Sequence, residues 1–342
     1  MNIGVDTHKA TLAFAAADDV GKLIETKQFS NDPVGHRKAA DWIARFRPPR
    51  TIGIEGSGLF GAAFTWFLFE RGEDVKEVPP GLTFRERNRK RSDGKSDPVD
   101  ALAIARVVAR EQHLPIPKRA GLMVDLKLLN TYREHLIRQR TRLANYAHRD
   151  LVILRPGYQR TVPSLRSMKN INQALALVQR DTSIRAELIT ERLQQILVLD
   201  TQVRQIEKRI AGMLESTQTS LTQLKGIGVF VAATILGEVG DVGRIRSRSA
   251  FASFSGTAPL KASSGKTSRH RMNRGGNRQL HRAIHTMAKT QSRVVPEARE
   301  FVARKMQEGK TYKEALRSLQ RHLSNVVFRT LVEDAKRVQT MT

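Results

Sequence analysis

No cysteine occurs anywhere in the chain, which excludes a disulfide framework and any thiolate metal site and suits a reducing cytoplasm. Long hydrophobic runs are missing too. The longest, Leu59 to Phe69, falls well short of the about 20 residues that span a bilayer and reads as a buried helix. The opening MNIGVDTHKA enters a strand-like segment at once, with no signal-peptide hydrophobic region. The expectation is a cytoplasmic protein without a membrane partner. Acidic residues are short: 33 stand against 59 Lys and Arg, for a formal charge of +26. Between Asp241 and Glu297 there is none, while 12 Lys and Arg fall in that interval. Residues 1–84 are different, with 10 basic and 11 acidic side chains. A basic surface of this kind repels itself unless a polyanion neutralises it, so nucleic acid is the expected partner. A membrane-binding basic chain would show a basic amphipathic helix or a lipidation signal, and neither is visible.

With 342 residues the chain can form two or three domains. Its first part alternates strands and helices. Asn2–Asp6, Thr11–Ala17 and Lys22–Phe29 read as strands, the last two joined by the turn Asp18-Asp19-Val20-Gly21. Asp32 and Pro33 start a helix to about Phe46, as N-cap and first-turn proline. Arg50–Glu55 is a strand, Leu59–Arg71 a helix, Asp74–Val78 a strand closed by Pro79-Pro80-Gly81, and Pro98 to about Gln112 a helix. That order is the order of a ribonuclease H-like α/β fold. The middle is helical. Leu122, Leu126, Leu129, Leu136, Leu143, Ala147 and Leu151 form one apolar stripe. Ile189, Leu193, Ile196, Leu199, Val203, Ile206, Ile210 and Met213 form a second, heptad-like seam with an irregularity near Ile196–Leu199. Packing within the chain and packing between chains both suit this pattern. From about Ser216 the turn Leu224-Lys225-Gly226-Ile227-Gly228 precedes an apolar helix. A Gly/Ser/Arg-rich stretch, Ser247–Asn277, then leads into basic helices.

Acidic side chains stand out in so basic a protein. Asp6 ends the first strand, Glu55 ends a neighbouring one before the small residues Gly56-Ser57-Gly58, and Asp97 and Asp100 share a face at a helix N-terminus. Carboxylate oxygens suit Mg²⁺ or Mn²⁺, and two such ions about 4 Å apart can activate the attacking oxygen of a phosphodiester exchange and stabilise the leaving one. Each residue also has a plainer reading. Asp97 and Asp100 are good first-turn residues around Pro98, Asp6 can cap a turn, and Glu55 can pair with an arginine. Joint placement of all four on the expected sheet favours metal. Arg85, Arg87, Arg89, Lys90, Arg91 and Lys95 adjoin the pair and read as contacts to a nucleic-acid backbone.

The second basic region carries Ser263-Ser264-Gly265-Lys266-Thr267, then Arg269, His270, Arg271, Arg274 and Arg278. A hydroxyl beside glycine and among cations can act as a nucleophile on a phosphodiester, though such a segment in isolation is usually just a loop. It is not a phosphate-binding Walker A loop, because the glycine spacing is wrong. Gly226 and Gly228 resemble the turn of a helix-hairpin-helix, whose backbone N–H groups hold phosphate; a plain tight turn is the alternative. His281 and His285, four residues apart, lack a third metal ligand in the sequence.

Gly4-Val5-Asp6-Thr7-His8-Lys9, Ile54–Gly58, Lys95–Ala101, the Lys225–Gly228 turn and Phe254–Gly265 with Gly276-Asn277-Arg278 together resemble the DEDD transposases of insertion sequence family one-ten, relatives of the pilin-gene DNA invertases. The resemblance covers nearly the whole chain, in order. It implies a RuvC-like catalytic domain over residues 1–115, a helical coiled-coil linker over 116–215, and a mainly α transposase domain over 216–342. It implies that Asp6, Glu55, Asp97 and Asp100 are the DEDD set binding Mg²⁺ or Mn²⁺, and that the essential serine falls on Ser264, with Ser263 one residue away. Lys225 stands where the family often has Pro, and Ser255 where it often has Ala. It further implies donor and target DNA as substrates, a structured bridge RNA pairing with both, and a homodimer or homotetramer on DNA. A guide that reads sequence by base pairing suits a protein with only 6% aromatics and abundant phosphate-binding residues. Two enzymes are weighed against this: a RuvC-like junction endonuclease that hydrolyses with water alone, and an actin-like ATPase, for which a second phosphate loop is missing. A purely architectural nucleic-acid binder is the non-enzymatic alternative.

Overall fold

The computed structural model describes residues 1–89, 97–117, 121–264, 267–273 and 275–341, which divide into two compact units, Met1–Gly121 and Leu122–Thr342. The first unit is built on one sheet. Strands β1 (Asn2–Thr7), β2 (Thr11–Ala17) and β3 (Leu23–Ser30) form an antiparallel meander. Its second turn closes through Asp18, whose carboxylate accepts from the backbone N–H groups of Val20 and Lys22. Helix α1 (Pro33–Ala44) starts where Asp32 caps the N–H groups of Val34 and Gly35. Then follow β4 (Thr51–Glu55), α2 (Ala62–Phe69), β5 (Asp74–Glu77), α3 (Pro80–Arg89) and α4 (Asp97–Arg110). The strand order is β3-β2-β1-β4-β5, with β4 parallel to both β1 and β5.

Side chains alternate across a strand, so each face of this sheet has its own cover. One face presents Ile3, Val5, Phe14, Ile52 and Ile54 to Trp42 and Ile43 of α1 and to Phe64 and Leu68 of α2. The other face is made of small residues: Gly4, Gly53, Ala13 and Ala15. There α4 lies almost on the backbone. A Cβ placed on Gly4 would sit 2.0 Å from the Ala101 carbonyl oxygen, and one on Gly53 would sit 2.3 Å from a methyl of Val108. Glycine at these two positions is therefore what lets α4 approach. The strand closes before Pro79-Pro80-Gly81 as expected, but helix α3, which follows at once, is not expected from the sequence. Pro80 occupies the start of the helix, where its missing N–H costs nothing, and the basic residues that follow are good helix formers.

The second unit opens with an antiparallel helical hairpin, α5 (Leu122–Leu154) and α7 (Ile184–Glu215), with the shorter α6 (Met168–Val178) between them in sequence. Ion pairs Arg133–Glu207, Arg140–Asp200 and Arg192–Asp150 run along it. Both stripes read from the sequence face inward, so the two helices pack within the chain. The irregularity at Ile196–Leu199 has a structural cause. Ile196 belongs to a core formed with Ala147, Leu151, Ile171 and Ala174, whereas Leu199 already belongs to the larger core of the C-terminal helices. Those are α8 (Val229–Val239), α9 (Arg248–Phe254), α10 (Arg278–Val294), α11 (Pro296–Gln307) and α12 (Tyr312–Met341). Between α9 and α10 a two-stranded antiparallel ribbon, β6 (Pro259–Ser264) and β7 (Thr267–Met272), replaces part of the irregular stretch expected there. Its residues are too polar to announce strands by apolar alternation. Among the described residues no helix is long and apolar enough to cross a membrane.

Candidate active site

Asp6 and Glu55 are direct register partners on the parallel strands β1 and β4. Partners in register point to the same face, and here it is the face that carries α4, two residues beyond Gly4 and Gly53. The first turn of α4 supplies Asp97 and Asp100 to that same corner. The Thr7 hydroxyl donates to the Glu55 carbonyl oxygen at 2.8 Å, tying the two strand ends together. Sheet register, small residues on one face and a helix start thus bring the four carboxylates within electrostatic reach of one another, with Asp6 and Asp97 the pair that falls into the tight donor cluster with His8.

The electrostatics of that place are unfavourable as it stands. Burial raises the Asp6 carboxyl above its ordinary value; His8 opposes the shift, while the charges of Asp100 and Asp97 add to it. Burial likewise raises Glu55, with Asp6 and Asp100 pushing the same way against the Thr83 hydroxyl and Arg87. The Arg87 guanidinium is partly exposed and is engaged by the acidic corner. Its Nη1 donates to Asp100 Oδ1 at 2.6 Å, so the cation read from the sequence as a nucleic-acid contact also neutralises charge in the acidic corner. His8, which sequence reasoning passed over, lies between two of the carboxylates. Its Nε2 is 3.2 Å from Asp6 Oδ2 and 3.3 Å from Asp97 Oδ1. That atom is sealed from solvent without an aligned hydrogen bond. Asp6, His8 and Asp97 each bring a donor atom within 4.8 Å of the others. Converging oxygen donors, raised pKa values at Asp6 and Glu55 and a ring nitrogen set between two carboxylates fit a divalent cation.

Comparison with known proteins decides the family. A transposase model for the DEDD proteins of IS110 matches residues 3–156, and a model of the IS116/IS110/IS902 transposase family matches residues 218–303. The chain belongs to the IS110 family of DEDD transposases. It is 26% identical to the 42 kDa protein of insertion element IS900 from Mycobacterium paratuberculosis, over 97% of this chain and 96% of that one. Identity to the 44.8 kDa protein of IS116 from Streptomyces clavuligerus is 23%, over 96% and 94%. A shorter match, 39% identical, joins 38% of this transposase to 33% of the 43.6 kDa protein of IS110 from Streptomyces coelicolor. Family membership implies cutting and rejoining of DNA, and it points to divalent metal.

The other residues singled out in this transposase are placed as follows. Arg85 is exposed on α3. Lys90, Arg91, Lys95, Lys266 and Arg274 lie outside the described residues, as does the Arg89 side chain. Ser264 ends β6 with Thr267 as its register partner, next to the Ser263–Ser268 pair. Arg269 and Arg271 pair with Ala262 and Leu260. The side chains of these ribbon residues are outside the description. Gly226 has a positive φ of 85°, and a Cβ there would meet the backbone of Met287 on α10. Gly228, at the N-cap of α8, has open space around it. Arg278 is exposed at the first turn of α10, which Asn277 caps. His285 Nδ1 is hydrogen-bonded to Gln320 at 2.8 Å, which fits the structural reading of the His281/His285 pair.

Proposed function

We propose that this transposase carries out site-specific strand exchange at a divalent-metal site formed by Asp6, Glu55, Asp97 and Asp100, with Ser264 as the nucleophile. The observation that carries the metal site is the register of Asp6 against Glu55 on the face where α4 begins. The strand order, antiparallel on one side of β1 and parallel on the other, supports a RuvC-like, ribonuclease H-like assignment for this domain. Bound Mg²⁺ or Mn²⁺ would supply charge neutralisation at the scissile phosphate and at the oxygens entering and leaving it. Asp6, Glu55, Asp97 and Asp100 would hold the ion, with Arg87 balancing charge at Asp100.

In the exchange the Ser264 hydroxyl loses its proton as its Oγ bonds to phosphorus, and the bond from phosphorus to the deoxyribose oxygen breaks. The leaving oxygen takes up a proton. The phosphoserine bond conserves the energy of the broken phosphodiester, so rejoining needs no external energy source. The sites on residues 1–115 and 216–342 act together in a homodimer or homotetramer, with 116–215 as a coiled-coil linker. A structured bridge RNA supplies sequence recognition while Arg85, Gly228, Arg269, Arg271, Arg278 and their basic neighbours grip backbone. The charge of +26 beside few aromatics supports that division. The test is a stalled reaction run on a denaturing gel. Wild type should give protein-linked DNA, and Ser264→Ala should give none while still binding nucleic acid. Free DNA ends without a protein link would replace this reading with hydrolysis by water, and an intact adduct in Ser264→Ala would move the nucleophile to Ser263.

A further inference from the structure

We infer that His8 is a direct ligand of the metal ion, so that the site carries one imidazole nitrogen beside its carboxylate oxygens. This rests on the metal reading of the DEDD corner and adds a residue to it. The His8 ring is half exposed, yet its Nε2 is turned into the corner and sealed from solvent. It lies 3.2 Å from Asp6 Oδ2 and 3.3 Å from Asp97 Oδ1, with alignment for a hydrogen bond to neither. Those separations lie at the long end of an N–H···O hydrogen bond and beyond the about 2.7–2.9 Å of a charge-assisted one. They match the spacing of donors that share one ion. Two ligands about 2.1 Å from a metal stand about 3.0 Å apart at right angles and about 3.4 Å apart at the tetrahedral angle. The local sequence explains the placement. Asp6 ends β1 on the α4 face and His8 follows two residues later, so both reach the same side.

The consequence is metal selectivity. An imidazole nitrogen favours Mn²⁺, Co²⁺ or Zn²⁺ over Mg²⁺, which prefers oxygen and water. The competing arrangement is a protonated His8 that merely bridges the two carboxylates and must leave when an ion enters.

Pulsed electron paramagnetic resonance on the full-length protein loaded with Mn²⁺ separates the two. The expected result is nitrogen modulation from a directly bound imidazole in wild type, lost in His8→Ala. Mn²⁺ affinity in that variant should fall by at least the roughly tenfold that loss of even an outer-shell partner costs. Mg²⁺ affinity should change less. Asp6→Asn serves as the control for the site itself. If Mn²⁺ binds in an Asp6-dependent way but shows no nitrogen modulation, and His8→Ala binds it equally well, the His8 inference fails while the carboxylate site stands. If Mn²⁺ binding is undetectable, or survives Asp6→Asn unchanged, the carboxylate site fails and His8 with it.

Discussion

In the helical unit the largely buried carboxylates among the described residues come with cations, mostly arginines; Glu238 has Lys127. Asp150 has Arg149 and Arg192, Asp200 has Arg140, Glu207 has Arg133, and Asp334 has Arg337 together with the Thr219 and Ser220 hydroxyls. The sheet unit does the same away from its site, pairing Glu73 with Arg50. At the carboxyl ends of β1 and β4 it does not. Asp6 and Glu55 are buried beside further negative charge, and both pKa values are raised, whereas hydrogen bonds from Arg149 and Arg192 outweigh burial at Asp150 and lower its value. The difference separates two uses of one side chain. A buried carboxylate paired with an arginine offsets its own burial, as Asp150 does; Asp6 and Glu55 are left with a cost to the fold that the proposed ion would offset, while Asp100 of the same corner has Arg87.

The sharpest test of that distinction is activity. Glu55→Gln preserves shape and removes the charge, and strand transfer should drop by about a thousandfold or more with DNA binding retained. Arg192→Ala, in the hairpin, should leave strand transfer per folded molecule near wild type. Recombination assays on both variants read this directly. Near-normal strand transfer by Glu55→Gln would mean that its missing arginine has no functional meaning.

A second contrast uses one glycine from each unit. Gly4→Ala puts a methyl 2.0 Å from the Ala101 carbonyl oxygen and 2.4 Å from the Ala105 nitrogen, both backbone atoms of α4. The helix must move off the sheet, at a cost of about 3 kcal/mol, and Asp97 and Asp100 move with it. Gly212, inside α7, has nothing within 4 Å of its would-be Cβ. Gly212→Ala should stabilise by about 0.5–1 kcal/mol through helix propensity. Urea titrations measure both; a neutral Gly4→Ala would mean that α4 is not held by close approach.

The smaller structural effect belongs to Asp150. Its carboxylate is 11% exposed and sits against Arg192, so Asp150→Asn should cost about 1–2 kcal/mol at neutral pH. Because the folded-state pKa is lowered, this stabilisation is present above the unfolded value of about 3.9 and is lost as pH falls through the folded value. Urea midpoints of wild type and variant should converge as pH approaches 3. A gap that stays constant with pH would assign the loss to packing instead.

How much of this was legible in the sequence depended on the kind of signal. The meander, the capped start of α1 and the strand ending at Glu55 were readable because turn residues and apolar runs encode them locally. The hairpin stripes were readable for the same reason, down to the break at Ile196–Leu199. The basic helix α3 and the polar ribbon β6–β7 were not, because neither carries an apolar rhythm. Within the site, the four acidic positions could be nominated from strand and helix ends. The arrangement around them could not. Gly4 and Gly53 owe their meaning to a helix that lies about a hundred and about fifty residues further along the chain, and only the folded sheet reveals it. Likewise, nothing local to His8 or Arg87 says that one ring nitrogen turns inward and that one guanidinium pairs with Asp100.

The finest test is of stability without metal. A raised folded-state pKa means that the fold disfavours the charged form of Asp6, so the charged carboxylate weakens the ion-free protein at pH values above both its folded and unfolded pKa. As pH falls through the folded value, the native state takes up a proton before the unfolded chain does, and stability is regained. In chelator at neutral pH, Asp6→Asn should therefore melt slightly higher than wild type, on the order of 1 °C, and the two should draw together on mild acidification. Adding Mn²⁺ should reverse the ranking, since an ion that binds only the native wild type stabilises it by mass action. The sign matters more than the size. If Asp6→Asn melts lower than wild type in chelator, Asp6 serves the fold in the manner of Asp150, and the contrast between the two units disappears.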